Sequence, residues 1–304
     1  MVRRSTKLVR DPKIRPNGNV LQNHLQFPLR YDQYNCRWNF IMPSLSTSTQ
    51  IYTPGNCTFS APLLWSVNLF WNEAEPDDSW TEALIRDLRK DDIRLLRHHF
   101  SDKQTSHLTV STKIGDAPSF IVQRVKGRHY YLVKQRKPKP FHGNFAIRSI
   151  GKSSLAETQQ YVMNQLGHHK MADPELQSNL ESLQIRNEDV DLSRLETSSH
   201  GAYWYNLHMV FVHRERWSSS NVFQLERVQQ KIILVAKLNG LRLAAAGILT
   251  DHVHLLAGCP YAQSPQDIAI EFLNALASVW DSKPVYQFGG YVGTVGDYTT
   301  NAIT

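Results

Sequence analysis

The chain has 304 residues, 41% of them hydrophobic and 10% aromatic, which excludes a disordered chain and leaves room for two domains of ordinary size. Its formal net charge of +7 favours a polyanionic partner, and nucleic acid is the first expectation. No apolar run approaches the roughly 20 residues of a membrane-spanning helix, and the three cysteines lack the spacing of a disulfide framework. We therefore expect a cytoplasmic protein with no membrane partner.

Basic side chains are concentrated in two parts of the chain, an N-terminal extension of residues 1–44 and a shorter cluster near the middle. Either cluster alone is equally typical of a solvated surface or tail. Together they predict a surface that contacts DNA phosphates and keeps the protein with the nucleoid. The residues expected to contact DNA are Arg3, Arg4, Lys7, Lys134, Arg136 and Lys137.

A segment poor in aromatic residues divides the rest of the chain. Residues 171–199 are rich in Asp, Glu, Ser, Asn and Gln, so they bury little apolar surface and are predicted to form an acidic linker. The near-helical spacing of Leu176, Leu180 and Leu183 allows short helical pieces within it. The linker separates a first unit, residues 45–170, from a second unit, residues 200–304.

Both units present the same order of elements. A strand-like aromatic run comes first, then a segment with helical periodicity, a second strand, a helix that starts at proline, and a glycine-containing strand. The paired stretches are 62–73 and 202–217, 80–100 and 219–240, 105–112 and 250–257, 117–133 and 264–280, and the strands that end at Gly151 and Gly296. We predict an α+β fold of two tandem ferredoxin-like units, each an antiparallel β-sheet backed by helices.

The second unit contains the stretch ILTDHVHLLAG, residues 248–258. Residues i and i+2 of a strand point to the same face, so His252 and His254 direct both imidazoles to one side, as a metal site requires. Two polar residues on a solvated strand face are the alternative. A zinc site that adds Cys259 is a further alternative, but it is one ligand short of a closed structural set.

The first unit differs at the corresponding place, because it has His107 and Thr109 where the second unit has two histidines. It also continues past its last strand into KSSLAETQQYVMNQL, a predicted helix that puts Tyr161 and Gln165 on one face. The sequence ends at Thr304, before the second unit reaches an equivalent helix. One alternative is that Tyr161 only packs at a domain edge, and another is that Tyr298 takes the chemical role in its place. The adjacent His168 and His169 are assigned to the surface.

These residues carry a family resemblance. DHVHLL, the proline-started helix, the GGYVGTVG strand and the YVMNQ helix together resemble the IS200-like single-tyrosine (Y1) HUH transposases, including those associated with repetitive extragenic palindromes. The resemblance covers about residues 60–168 and 200–304. It implies two HUH units fused into a pseudo-dimer within one chain, with a composite site formed by both. Tyr161 would be the nucleophile, and His252, His254 and Gln165 would bind Mg²⁺ or Mn²⁺.

The expected activity is therefore metal-dependent cleavage and rejoining of single-stranded or hairpin DNA through a 5′-phosphotyrosine, as in a transposase. The alternative is a catalytically inactive, domesticated protein that binds DNA hairpins. Metal-dependent covalent trapping of DNA separates the two hypotheses, since hairpin binding is common to both.

Overall fold

The computed structural model describes residues 50–74 and 77–297. The basic extension with Arg3, Arg4 and Lys7, and the alternative nucleophile Tyr298, lie outside these ranges. Within them the fold is α+β with helix-backed sheets, as the sequence predicts. Each of the two sheets has six strands and contains one parallel pair, whereas the prediction was of antiparallel sheets. None of the helices in the described ranges is long and apolar enough to cross a bilayer.

The first unit has the order β-α-β-β-α-β and is preceded by a short strand. Its strand order in the sheet is β3-β4-β2-β5, all antiparallel, which is the ferredoxin-like arrangement. Helices α1 and α2 pack against each other. The elements are β1 (Thr58–Ser60), β2 (Leu64–Trp71), α1 (Thr81–Arg89), β3 (Arg94–Asp102), β4 (Thr105–Ser111), α2 (Pro118–Val133) and β5 (Phe141–Ile150).

The helix predicted over residues 80–100 is too long. It ends at Arg89, and the chain turns through Asp92, whose φ of 58° is in the left-handed region. Residues 94–102 then form β3, which pairs with β4 along its length. The run IRLLRHHF fits a helical period by its leucines, but the pairing partner decides that it is a strand.

Three helices and two short strands connect the units. They are α3 (Leu155–Met163), α4 (Gln165–His168), α5 (Pro174–Leu183), β6 (Ile185–Arg186) and β7 (Glu196–Thr197). The stretch predicted as a linker thus contains a helix, in which Leu180 and Leu183 are buried, and two edge strands.

The second unit repeats the first. Its strand order, β12-β9-β11-β10, is the ferredoxin-like order again, and α6 packs on α7. Asn221 caps α6, which ends before Asn239 and Gly240 and so lies within the stretch 219–240 predicted as helical. The elements are β8 (Gly201–Trp204), β9 (Asn206–Val212), α6 (Val222–Leu238), β10 (Arg242–Ile248), β11 (His252–Gly258), α7 (Pro265–Ala277) and β12 (Gly289–Val295).

Each unit donates its leading strand to the sheet of the other. Strand β1 pairs in parallel with β12, and β8 pairs in parallel with β5. The aromatic run predicted as one strand over 202–217 therefore divides at Tyr205, with β8 in one sheet and β9 in the other. This reciprocal exchange joins the two units through backbone hydrogen bonds.

The last strands of the two units also meet. The Gly151 N–H donates to Gly296 O at 3.0 Å, and Ser149 Oγ donates to Val295 O at 2.7 Å. A Cβ at Gly151 would lie 2.5 Å from the Thr294 carbonyl oxygen, and one at Gly296 would lie 2.3 Å from that of Ser149. Glycine is required at both positions because the two backbones touch there.

One hydrophobic core spans both units. Trp65 of the first unit and Tyr205 of the second are fully buried, with ring centroids 5.2 Å apart. The core also encloses His129 of α2, whose ring centroid is 5.1 Å from that of Trp71 and 3.8 Å from that of Trp80. Neither ring nitrogen of His129 has a hydrogen-bond partner, and burial holds its pKa well below the usual value.

Candidate active site between the two units

The tyrosine helix of the first unit begins with a capping box. Ser154 Oγ accepts from the Glu157 N–H at 3.1 Å, and the Glu157 carboxylate accepts from the Ser154 N–H at 2.9 Å. This cap sets the phase of α3, in which Val162 is buried and Tyr161 is 47% exposed. The exposed tyrosine is therefore available to a ligand.

Helix α3 packs on strands β10 and β11 of the second unit. The contact is close at Gly247, where a Cβ would lie 2.9 Å from Gln165 Cγ and 3.1 Å from the Val162 carbonyl oxygen. Gly247 is directly opposite His254 in the β10–β11 ladder. A glycine at this position thus lets the helix approach the sheet beside the histidine pair.

The two histidines lie on one face of β11, each 5% exposed, with ring centroids 5.1 Å apart. His252 Nδ1 is 2.5 Å from Asp251 Oδ1, and the other oxygen of Asp251 is 3.2 Å from Arg216 Nε. His254 Nδ1 is 3.2 Å from Nε2 of His208 on β9. Among the described residues, Nε2 of both His252 and His254 has no hydrogen-bond partner, so it is the available ligand atom.

Burial keeps these imidazoles neutral. Desolvation lowers the pKa of His254 to about 3 and that of His208 to about 4, and it also lowers the pKa of His252. A metal binds the deprotonated imidazole nitrogen, so a neutral ring is the state that a ligand needs. The Asp251 carboxylate on His252 Nδ1 is the outer partner that commonly orients a ligating histidine.

Tyr161 lies beside His254 and His208. Its ring centroid is 5.5 Å from that of His254 and 6.0 Å from that of His208. The chain beyond α3 also contacts the site: the His168 ring is 6.3 Å from Tyr161, and the His169 ring is 5.4 Å from His252. Both histidines are exposed, as the sequence predicts, yet each faces a residue of the site.

Gln165 supplies a third polar group. It is 1% exposed, and its Nε2 donates to the Tyr161 carbonyl oxygen at 2.8 Å. Its Oε1 accepts no hydrogen bond within the described residues, so the amide oxygen remains available. Imidazole nitrogen and amide oxygen are both ligands of divalent cations; the oxygen suits Mg²⁺ and Mn²⁺, whereas imidazole is more typical of Zn²⁺ and Fe²⁺.

The zinc alternative has no support in the described ranges. No group of three His, Cys, Asp or Glu residues there has the arrangement of a metal site. Cys259 follows the end of β11, its Sγ lies 3.6 Å from the Ala257 carbonyl oxygen, and burial raises the pKa of its thiol. His252, His254 and Gln165 remain the ligands that the sequence predicts, and the Gln165 amide is of a type outside this set of four residues.

Sequence reasoning missed two residues of the site, His208 and Tyr291. They lie on β9 and β12, with ring centroids 5.4 Å apart. His208 lies within the alternating apolar pattern of β9, and that pattern is the only sequence feature that marks it. The proximity of His208 to His254 depends on strand register, which the pattern does not give. Both residues line a cleft of about 720 Å³ at Tyr161, together with Lys152, Ser153, Glu157, Thr158, Val210 and His254.

The corresponding place in the first unit is different. Thr109 lies opposite Ser66 in the β2–β4 ladder, as His254 lies opposite Val210 in the second unit. His107 is 2.5 Å from Ser66 Oγ through its Nε2, and its ring is 4.7 Å from that of His99. With threonine in place of the second histidine, this unit has no equivalent imidazole pair on that strand.

The mid-chain basic residues follow α2. Lys134 Nζ lies 4.4 Å from the centroid of the Tyr131 ring. Arg136 Nη1 is 2.6 Å from Asp77 Oδ2, and Lys137 Nζ is 2.8 Å from the Ala74 carbonyl oxygen. Two of the three predicted phosphate contacts are therefore engaged with the loop that follows β2.

Comparisons with known proteins assign neither a family nor a function to the chain. No family model matches the chain, and neither does any curated protein. A crystal structure described as a glycine cleavage system transcriptional repressor is 11% identical, covers 77% of this chain and 98% of its own, and has a TM-score of 0.21. An unknown protein from Galdieria sulphuraria is 9% identical, also covers 77% of this chain and 98% of its own, and has a TM-score of 0.20.

Proposed function

We propose that the protein is a metal-dependent endonuclease and strand transferase for single-stranded or hairpin DNA, similar to the Y1 HUH transposases. One observation carries the proposal: Tyr161 of the first unit lies 5.5 Å, ring to ring, from His254 of the second unit. Two residues more than ninety positions apart thus meet at an open cleft. The formal net charge of +7 supports a DNA partner and association with the nucleoid.

Three side chains would hold the cation, the Nε2 atoms of His252 and His254 and the amide oxygen of Gln165. When bound, a Mg²⁺ or Mn²⁺ ion would polarise the scissile phosphate and offset the charge that develops on it. Neutral ligands leave the positive charge of the ion undiminished toward a DNA phosphate. Asp251 is not a ligand itself; its carboxylate fixes the orientation of the His252 ring through a hydrogen bond.

The hydroxyl oxygen of Tyr161 is the nucleophile. It attacks phosphorus as the bond to the 3′ oxygen breaks; the phenol proton passes to solvent, and the released 3′ oxygen takes up a proton. The product is Tyr161 joined to the 5′ phosphate beside a free 3′ hydroxyl. Attack by that hydroxyl, or by one from another strand, reverses the step and rejoins DNA without another energy source.

A single chain forms one such assembly from the residues that the structure describes. We therefore assign to it one covalent intermediate at a time, so that it nicks and transfers one strand. Complete excision of an element would need two chains or two successive turnovers. A single chain that carries two DNA 5′ ends at once would contradict this assignment.

Covalent trapping tests the proposal. The full chain is incubated with end-labelled single-stranded hairpin oligonucleotides and Mn²⁺ or Mg²⁺, and adducts are separated on denaturing gels and mapped by mass spectrometry. We expect a 5′-phosphate adduct on Tyr161 that disappears in Tyr161→Phe and in His254→Ala and persists in Tyr131→Phe, a control at another exposed tyrosine.

The other outcomes are equally informative. An adduct on Tyr298 would keep the chemistry and exclude the composite site. Tight hairpin binding without any adduct, with substrates drawn from the flanks of the gene, would favour the inactive DNA-hairpin-binding protein.

A further inference from the structure

The cleft at Tyr161 contains an aromatic wall that the proposed chemistry does not use. Tyr291 and His208 form this wall, with ring centroids 5.4 Å apart. The His208 ring is in turn 5.4 Å from His254 and nearly parallel to it, at an interplanar angle of 20°. The wall therefore begins at the candidate metal ligand and extends away from it along the sheet.

Tyr291 is held flat on the strand that carries it. A Cβ at Gly293 would lie 2.3 Å from the Tyr291 hydroxyl and 2.7 Å from the ring carbon that bears it. The ring thus lies over the bare backbone of Gly293, the residue directly opposite His208 in the β9–β12 ladder. Glycine leaves the room that lets the ring lie beside the imidazole.

This wall is confined to the unit that carries the histidine pair. Matching the two units through His254–Val210 and Thr109–Ser66, the positions of His208 and Tyr291 correspond to Leu64 and Arg148 in the first unit. The fold thus forms with an aliphatic and a basic residue at these two places. The strand pairing that the two units share therefore does not require an aromatic pair at these positions.

The remaining lining suits a nucleotide. At about 720 Å³ the cleft is within the roughly 300–1,000 Å³ of small-ligand sites. Lys152 is exposed, and its ammonium has no partner among the described residues. The one carboxylate of the lining, Glu157, is occupied by the backbone and hydroxyl of Ser154.

We infer that the Tyr291–His208 wall binds an unpaired base of single-stranded DNA by stacking, and that Lys152 contacts the adjoining phosphate. The inference rests on the proposed function, since it assigns the base to the nucleotide next to the phosphate that Tyr161 attacks. Stacking on an aromatic ring tolerates every base and requires that the base be unpaired. The wall therefore selects single strands over duplexes at the point of cleavage.

Fluorescence anisotropy with two probes tests the inference. The full chain carries Tyr161→Phe, and the buffer contains EDTA, so that no cleavage occurs. The probes are a fluorescein-labelled 20-mer of thymidylate and an abasic 20-mer with the same phosphates. We expect Tyr291→Leu to weaken binding of the thymidylate probe by about 5- to 150-fold, the range for loss of one base stack, and to leave the abasic probe unchanged.

Three further variants sharpen the result. Tyr291→Phe keeps the ring and should retain affinity, and Phe223→Leu removes an exposed aromatic residue of α6 in the same unit and should change nothing. Gly293→Ala displaces the Tyr291 ring, so it should weaken thymidylate binding even where Tyr291→Leu fails to fold. Equal losses on both probes, or no loss on either, would overturn the inference.

The outcome is separable from that of the cleavage assay. If Tyr291→Leu weakened binding of the thymidylate probe alone, and the chain with Tyr161 intact formed no covalent adduct, the protein would be a DNA-binding protein with a base-binding site. An adduct on Tyr161 combined with unchanged binding in Tyr291→Leu would keep the cleavage function and remove the stacking site.

Discussion

Gly247 offers a sharp test of the composite site, because it separates the tyrosine helix from the sheet that carries the histidines. In Gly247→Ala the new Cβ would lie 2.9 Å from Gln165 Cγ and 3.1 Å from the Val162 carbonyl oxygen. Two carbon atoms in ordinary van der Waals contact are about 3.5–4.0 Å apart, which is about 0.5–1 Å more than the distance to Gln165 Cγ. The helix must therefore move by about that amount, or Gln165 must leave its place against Gly247.

Displacements of this size are costly for catalysis and moderate for stability. A misplacement of about 1 Å can slow a positioned reaction by about 100-fold, whereas overpacking costs about 1–3 kcal/mol of folding free energy. We expect single-turnover formation of the Tyr161 adduct to fall by about 10- to 100-fold in Gly247→Ala, with the chain still folded by circular dichroism.

The matched control is Gly167→Ala, on α4 itself, where a Cβ would have no neighbour within 4 Å. Adduct formation should stay at its original rate in this variant, and the melting temperature should not fall, because alanine favours a helix over glycine. If Gly247→Ala formed the adduct as fast as Gly167→Ala, the contact between helix and sheet would not position the reaction, and the composite site would have to be abandoned.

Three further predictions concern the carboxylate beside a candidate metal ligand, the core and the junction between units. Replacing Asp251 by asparagine removes the carboxylate from His252 and should weaken Mn²⁺ binding about 10- to 100-fold by calorimetric titration; an unchanged affinity would exclude the orienting role. His129→Leu removes two unpartnered ring nitrogens and should raise the melting temperature. Because folding lowers the pKa of His129, the original chain loses stability as pH falls below the unfolded value of about 6.5, whereas the leucine variant does not. The difference in melting temperature between the two chains should therefore widen from pH 7 to pH 5, and a constant difference would refute this. Gly151→Ala forces a methyl group onto a carbonyl oxygen at 2.5 Å and should lower the melting temperature by several degrees, whereas Gly143→Ala, with open space on the same strand, should lower it little; equal effects would contradict a close junction.

Local patterns in the sequence were sufficient for most of the elements. The helix start at Asn221, the proline-started helices and the strand around His252 follow from caps, proline position and alternation. The helix predicted through residue 100 was wrong, because leucines in a charged run satisfy a helical period while β3 is decided by its partner strand. The exchange of β1 and β8 was likewise invisible, since both stretches have the same strand propensity in either sheet.

The candidate site divides in the same way. The i, i+2 spacing of His252 and His254 is local, so the sequence alone determined that this pair shares a face. The single helix predicted for Tyr161 and Gln165 is interrupted in the structure, since α3 ends at Met163 and α4 begins at Gln165, with Tyr161 exposed and Gln165 buried. Only the tertiary structure decided that the two pairs meet, and that His208 joins them. That meeting depends on a helix from one unit packing on the sheet of the other at a single glycine, and such long-range contacts are set by the register and packing of distant strands.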